Sequence, residues 1–106
     1  MDERRFFERF SSRYPARIKD SREEFGARFH LREASAEGVR IRSTEKVFNN
    51  DSLTLEVKLP DGHDPMILKG HVVWTKNQDS KVWDIGLKFH KIRLMHLSRL
   101  YSLAVK

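Results

Sequence analysis

The strongest constraint in this chain is a period of two. Leu53, Leu55, Val57 and Leu59 alternate with Ser52, Thr54, Glu56 and Lys58; Trp83, Ile85, Leu87 and Phe89 alternate with Val82, Asp84, Gly86 and Lys88; Ala27, Phe29 and Leu31 alternate with Arg28, His30 and Arg32. Successive side chains on a strand point to opposite faces, so each stretch describes a strand with one buried face. Shorter runs at 15–19, 39–42 and 67–75 read the same way. Between them stand turn residues: Asn49-Asn50-Asp51, Pro60-Asp61-Gly62 and Asn77-Gln78-Asp79-Ser80. Strands joined by short turns pair antiparallel, and about six of them in so short a chain are best satisfied by closing the sheet on itself, which leaves few bare edges. The expectation is a mainly β fold, a small antiparallel six-stranded β-barrel over residues 14–90.

The period changes near the end. In KIRLMHLSRLYSLAVK, Leu94, Leu97, Tyr101 and Ala104 fall at helical spacing, Leu100 and Leu103 widen the stripe, and no Gly or Pro interrupts it. This predicts a C-terminal α-helix over residues 91–105, packed on the barrel. No Ser, Thr, Asp or Asn caps its start. Arg99, on this helix, is expected to matter little for function.

At 106 residues the chain is expected to form one domain, residues 1–106, around one core. With 39% hydrophobic residues a core is available, and with 34% charged residues the surface is well solvated. The absence of cysteine removes disulfides and thiolate metal sites and fits a reducing compartment. The charged N-terminus does not read as a signal peptide, and no apolar run approaches the ~20 residues of a membrane span. A cytoplasmic location is therefore expected. The formal charge of +6 favours a polyanionic partner without choosing among nucleic acid, nucleotide and acidic membrane surface.

Two stretches carry chemistry. In RRFFER, Arg5 and Arg9 stand four residues apart with Arg4 beside them. Arginine's planar fork matches phosphate oxygens or a guanine edge through paired hydrogen bonds, and its flat face stacks on a base. A frayed basic terminus would have the same composition. In EASAEG, Glu33, Ser35 and Gly38 offer an acceptor, a hydroxyl and a close backbone approach within one turn. An ordinary strand connection would read the same way.

The ordered combination is more informative than either part. RxxxR before the first strand, an acid-x-Ser-x-x-Gly turn, then KGHVVW and WDIGLKF in the last strands, resembles the PilZ domain over nearly the whole chain. The resemblance implies a receptor for the bacterial second messenger cyclic di-GMP. It implies that Arg5 and Arg9 grip phosphate and guanine, and that Ser35 and Gly38 complete the pocket. Glu33 stands where the family has Asp or Asn, longer by a methylene, and Arg4 precedes RxxxR where it can bear on whether one ligand or a stacked pair binds. A lone PilZ domain has no output of its own, so a downstream protein partner is implied, unidentified by the sequence. Residues 1–13, rich in arginine and without turn or cap signals, are expected to be mobile and to order around a bound ligand, with some of Phe6, Phe7 and Phe10 anchoring them to the barrel.

Other chemistry is weakly supported. The five histidines show no ligand spacing, so no metal is expected, and neither a nucleophile motif nor a catalytic acid pair stands out, so an enzyme is not expected. Trp74 and Trp83 read as core or sheet-face residues, with one of them a candidate for the ligand surface. Two alternatives remain. A small basic barrel can hold single-stranded nucleic acid, although Glu23, Glu24, Glu33, Glu37 and Glu45 interrupt its basic surface. A PilZ-like module that has lost ligand binding would act through protein contacts alone.

Overall fold

The computed structural model describes residues 8–91 and 94–104. Six strands, β1 (Phe10–Ile18), β2 (Phe29–Ala34), β3 (Gly38–Ser43), β4 (Ser52–Val57), β5 (Met66–Asp79) and β6 (Val82–Phe89), precede one helix, α1 (Leu94–Ala104). The strands close into a barrel in the order β1-β2-β3-β6-β5-β4, every neighbouring pair antiparallel. The alternation read from the sequence supplies the interior: Phe29 and Leu31, Val39 and Ile41, Leu55 and Val57, Met66, Leu68 and Val72, and Ile85 and Leu87 are all buried. Leu97 and Leu100 of α1 close one side of this core.

Three boundaries differ from the sequence reading. The barrel begins at Phe10, not at residue 14, because Phe10 pairs with Ala34 and its ring meets Tyr101 of α1 edge-on at 5.4 Å. Residues 10–13 therefore belong to β1, whereas residues 1–7 of the expected ligand-clamping segment, with Arg4, Arg5, Phe6 and Phe7, lie outside the described residues. β5 runs on through the expected turn residues Asn77 and Gln78 to Asp79, which pairs with Val82, leaving Ser80 and Lys81 as the turn. Asn77 holds this hairpin tip by donating from Nδ2 to the carbonyls of Asp79 and Val82. The helix expected over 91–105 is described over Leu94–Ala104; Lys91 stands outside it, and residues 92, 93 and 105 lie outside the described residues.

Arg99 has a structural role that the sequence reading did not assign. Its Nε and Nη2 donate to both oxygens of Asp61 at 2.5 and 2.8 Å, and Nη2 also reaches the Asp64 carbonyl at 2.9 Å. This paired contact ties α1 to the loop between β4 and β5. Arg99 is a fastening of the fold.

Two bulges prepare the site. Leu31 pairs with Ile41 and Glu33 with Arg40, so Arg32 is an extra residue on β2; on β5, Val73 is extra between Val72 and Trp74 in the pairing with β6. An inserted residue reverses the faces of everything after it. Without the first bulge Glu33 would continue the buried series Phe29, Leu31, and without the second Trp74 would continue Leu68, Gly70, Val72. With them, Ala34 turns inward and Trp74 stands 42% exposed.

Candidate functional site: a polar cleft on the outer face of the barrel

A cavity of about 220 Å³ lies where β2, β3, β5 and β6 meet on the outer face. Arg9, Glu33, Ser35 and Gly38, expected from the sequence, line it together with Arg40, Val73, Trp74, Gly86 and Lys88. Arg4 and Arg5 lie outside the described residues.

The floor is set by the turn between β2 and β3. The Ser35 N–H donates to the Gly38 carbonyl at 2.9 Å, and the Ser35 hydroxyl donates to the same oxygen at 3.3 Å. In return the Ser35 Oγ accepts from the N–H groups of Glu37 and Gly38 at 3.3 and 3.4 Å. Ser35 thus shapes the turn from within. Gly38 is required by proximity: a Cβ there would overlap the Leu87 carbonyl oxygen of β6 and come within 3.1 Å of the Lys88 Cα. The turn can lie flat against β6 only with glycine at this position.

The walls are ionic and aromatic. Arg40 Nε donates to Glu33 Oε2 at 3.0 Å, and Arg9 Nε lies 3.9 Å from the same oxygen. Arg40 Nη1 reaches Asp84 Oδ2 at 3.3 Å, while Asp84 also accepts from Arg42 Nε at 3.4 Å and Gln78 Nε2 at 2.8 Å. The hydrogen bond to Glu33, and then the charges of Glu33 and Asp84, raise the Arg40 pKa despite partial burial. Opposite, the Trp74 indole lies on Gly86, where a Cβ would overlap Nε1 and come within 2.6 Å of Cδ1. Gly86 is thus the seat on which this half-exposed ring rests.

The sequence reading missed Arg40 and Lys88, and gave Trp74 only as one of two candidates for the ligand surface. Gly86, opposite Arg40 in the β3–β6 ladder and Trp74 in the β5–β6 ladder, was the available signal for the indole seat. Among the described residues no three His, Cys, Asp or Glu side chains gather as a metal site, and no helix is long and apolar enough to cross a membrane.

A family model for the PilZ domain matches residues 3–104. The chain belongs to the PilZ domain family. Among solved structures, the PilZ chain resembles Bacillus subtilis inhibitor of motility (MotI/DgrA), with a TM-score of 0.64 and 15% identity over 99% of this chain. It spans half the length of that protein. Among curated proteins none matches the chain. PilZ domains form a cyclic di-GMP receptor family of regulatory modules that interact with partner proteins, and some members lack ligand binding.

Proposed function

We propose that this PilZ domain binds cyclic di-GMP in the cleft beside Trp74 and passes the signal to a partner protein. The observation that carries the reading is convergence: Arg9 and the Glu33–Gly38 turn, separated along the chain, line one cavity with Arg40, Trp74 and Lys88. Arg9, with a side chain 79% exposed, meets Glu33 only through Nε at 3.9 Å, which leaves the rest of its fork open to a phosphate, and Arg5 of the same motif is the proposed second fork. Trp74 offers a flat face for a guanine. Ser35 and Gly38 act through the backbone, holding the turn close enough for the ligand to approach. Glu33 is an acceptor for guanine N–H groups once it leaves Arg40, and that exchange frees the Arg40 fork toward the ligand.

The relay proposed is ordering of the N-terminal segment. A dianionic ligand between Arg5 and Arg9 neutralises like charges and adds charge-assisted hydrogen bonds, against a backbone entropy cost on the order of 1–2 kcal/mol for each residue fixed. Saturating cyclic di-GMP is expected to slow trypsin cleavage after Arg5 and Arg9 while leaving cleavage at exposed Lys81 unchanged. Equal rates with and without ligand would refute the relay. Arg99 is unsuitable as the control because Asp61 holds it.

Calorimetry decides the binding itself. Saturable heat with cyclic di-GMP and none with a generic single-stranded oligonucleotide is expected. Oligonucleotide binding with a steep salt dependence would favour the nucleic-acid reading instead. Heat from neither would favour a module working through protein contacts, a reading to which the Arg40–Glu33 ion pair gives some support.

A further inference from the structure

Beside the cleft, on the same outer face, arginines outnumber their partners. The bulges on β1 and β2 coincide: Ser11 pairs with Glu33 and Tyr14 with Leu31, so Ser12 and Arg13 stand against Arg32. On β3, Arg40 and Arg42 flank the same rung. The side chains of Arg13 and Arg32 make no hydrogen bond or ion pair among the described residues, and the Arg32 Nε is buried without an acceptor. Arg42 makes a single long contact, Nε to Asp84 Oδ1 at 3.4 Å, while Arg40 and Gln78 take the other oxygen of that carboxylate. Counting Arg9 on Glu33, five guanidinium groups thus share two carboxylates, Glu33 and Asp84.

This arrangement is costly when empty. A buried donor without an acceptor is destabilising, and like charges at close range repel. Burial first, and then the charges of Arg42, Arg13 and Arg40, lower the Arg32 pKa, with Asp84 opposing. A structural ion network would be expected to close its charges, as Arg99 and Asp61 do.

We propose that Arg13, Arg32 and Arg42 form a second anion site, separate from the cleft, that takes the dianionic phosphate of a small molecule, either the free ion or a monoester. The unmatched positive charge favours a multiply charged anion such as a phosphate dianion, and arginines on three neighbouring strands suit a tetrahedral group with several acceptor oxygens better than a planar carboxylate. Occupation would supply the Arg32 Nε with its missing acceptor. The site does not depend on cyclic di-GMP binding in the cleft.

NMR of arginine side-chain Nε–H groups tests this directly. Titration of the wild-type chain with inorganic phosphate, at ionic strength matched with potassium chloride, is expected to shift the Arg32 resonance saturably. Adenosine 5′-monophosphate serves as the esterified arm, and the tighter of the two names the source. Arg9→Ala should keep the phosphate response; Arg32→Gln and Arg13→Gln should each abolish it. In phosphate-free buffer both Gln variants are expected to raise the melting temperature, because they remove an uncompensated charge, and to lose the rise that phosphate gives the wild type. The proposal is overturned by an unsaturable response, by an equal response to chloride alone, by loss of the response in Arg9→Ala, or by lowered melting temperatures for both Gln variants in phosphate-free buffer.

Discussion

Two ion-pair systems in this molecule use the same residue types to opposite ends. Arg99 and Asp61 meet fork to fork with two short hydrogen bonds, and a backbone carbonyl takes a further Arg99 donor. Around Asp84 and Glu33, by contrast, single contacts of 3.0 to 3.9 Å are shared among Arg9, Arg40 and Arg42. The first arrangement closes its charges and fastens α1 to the barrel. The second leaves cations to spare, and a spare cation next to a cavity is available to a ligand. Exposed or half-exposed pairs contribute modestly to stability in either case, so what separates the two is commitment of the donors.

That contrast can be broken most forcefully at glycine, where fold and site share one position. Gly38→Ala should cost about 3 kcal/mol of stability, because its Cβ collides with the backbone of β6, which cannot step aside, and ligand affinity should fall with it. Gly86→Ala meets a half-exposed side chain instead. Trp74 can swing away, so unfolding by urea should show a loss of only about 1 kcal/mol while cyclic di-GMP binding weakens as the indole leaves its seat. Equal stability losses for both variants would show that the Trp74 ring is rigidly held.

A cleaner separation comes from the arginines. Arg9→Ala is expected to weaken cyclic di-GMP binding by roughly 1–3 kcal/mol, about 5- to 150-fold, with the urea midpoint unchanged. Arg99→Gln should do the reverse, sparing affinity and lowering stability in a pH-dependent way. The Arg99 hydrogen bonds hold the Asp61 carboxyl well below the usual carboxylate range, against partial desolvation. A depressed folded pKa gives stability that is complete above the unfolded value near ~4 and is lost as pH falls toward the folded one. The melting temperature of the wild type should therefore decline below about pH 4, and Arg99→Gln should flatten that decline. An unchanged acid slope would mean that other carboxylates, such as Glu23 beside Arg28, govern it.

The smallest expected effect sharpens the role of Glu33. Shortening by one methylene withdraws the carboxylate from Arg40, so Glu33→Asp should tighten cyclic di-GMP binding by about 1 kcal/mol, roughly 5-fold. Glu33→Ala should stay within a few-fold of wild type. Tighter binding by Glu33→Ala than by Glu33→Asp would show that the carboxylate repels the ligand phosphates.

By itself, the sequence determined the barrel, the terminal helix and the family. Alternation over Leu53–Leu59 and Trp83–Phe89 is local information, since a strand's two faces follow from the backbone pleat, and the helical stripe at Leu97 and Leu100 follows equally from local geometry. RxxxR and EASAEG were legible because their residue types lie within a few positions of one another. Tertiary structure decided which faces those residues present. Strict alternation carries Glu33 and Trp74 into the core; one inserted residue on β2 and one on β5 turn them outward, and such insertions exist only relative to the strand alongside. The same holds for Arg40 with Asp84 and for Arg99 with Asp61, pairs 44 and 38 residues apart in the chain. A charge has no partner until the sheet closes, so which arginines are committed and which are free is a property of register across strands, not of spacing along the chain.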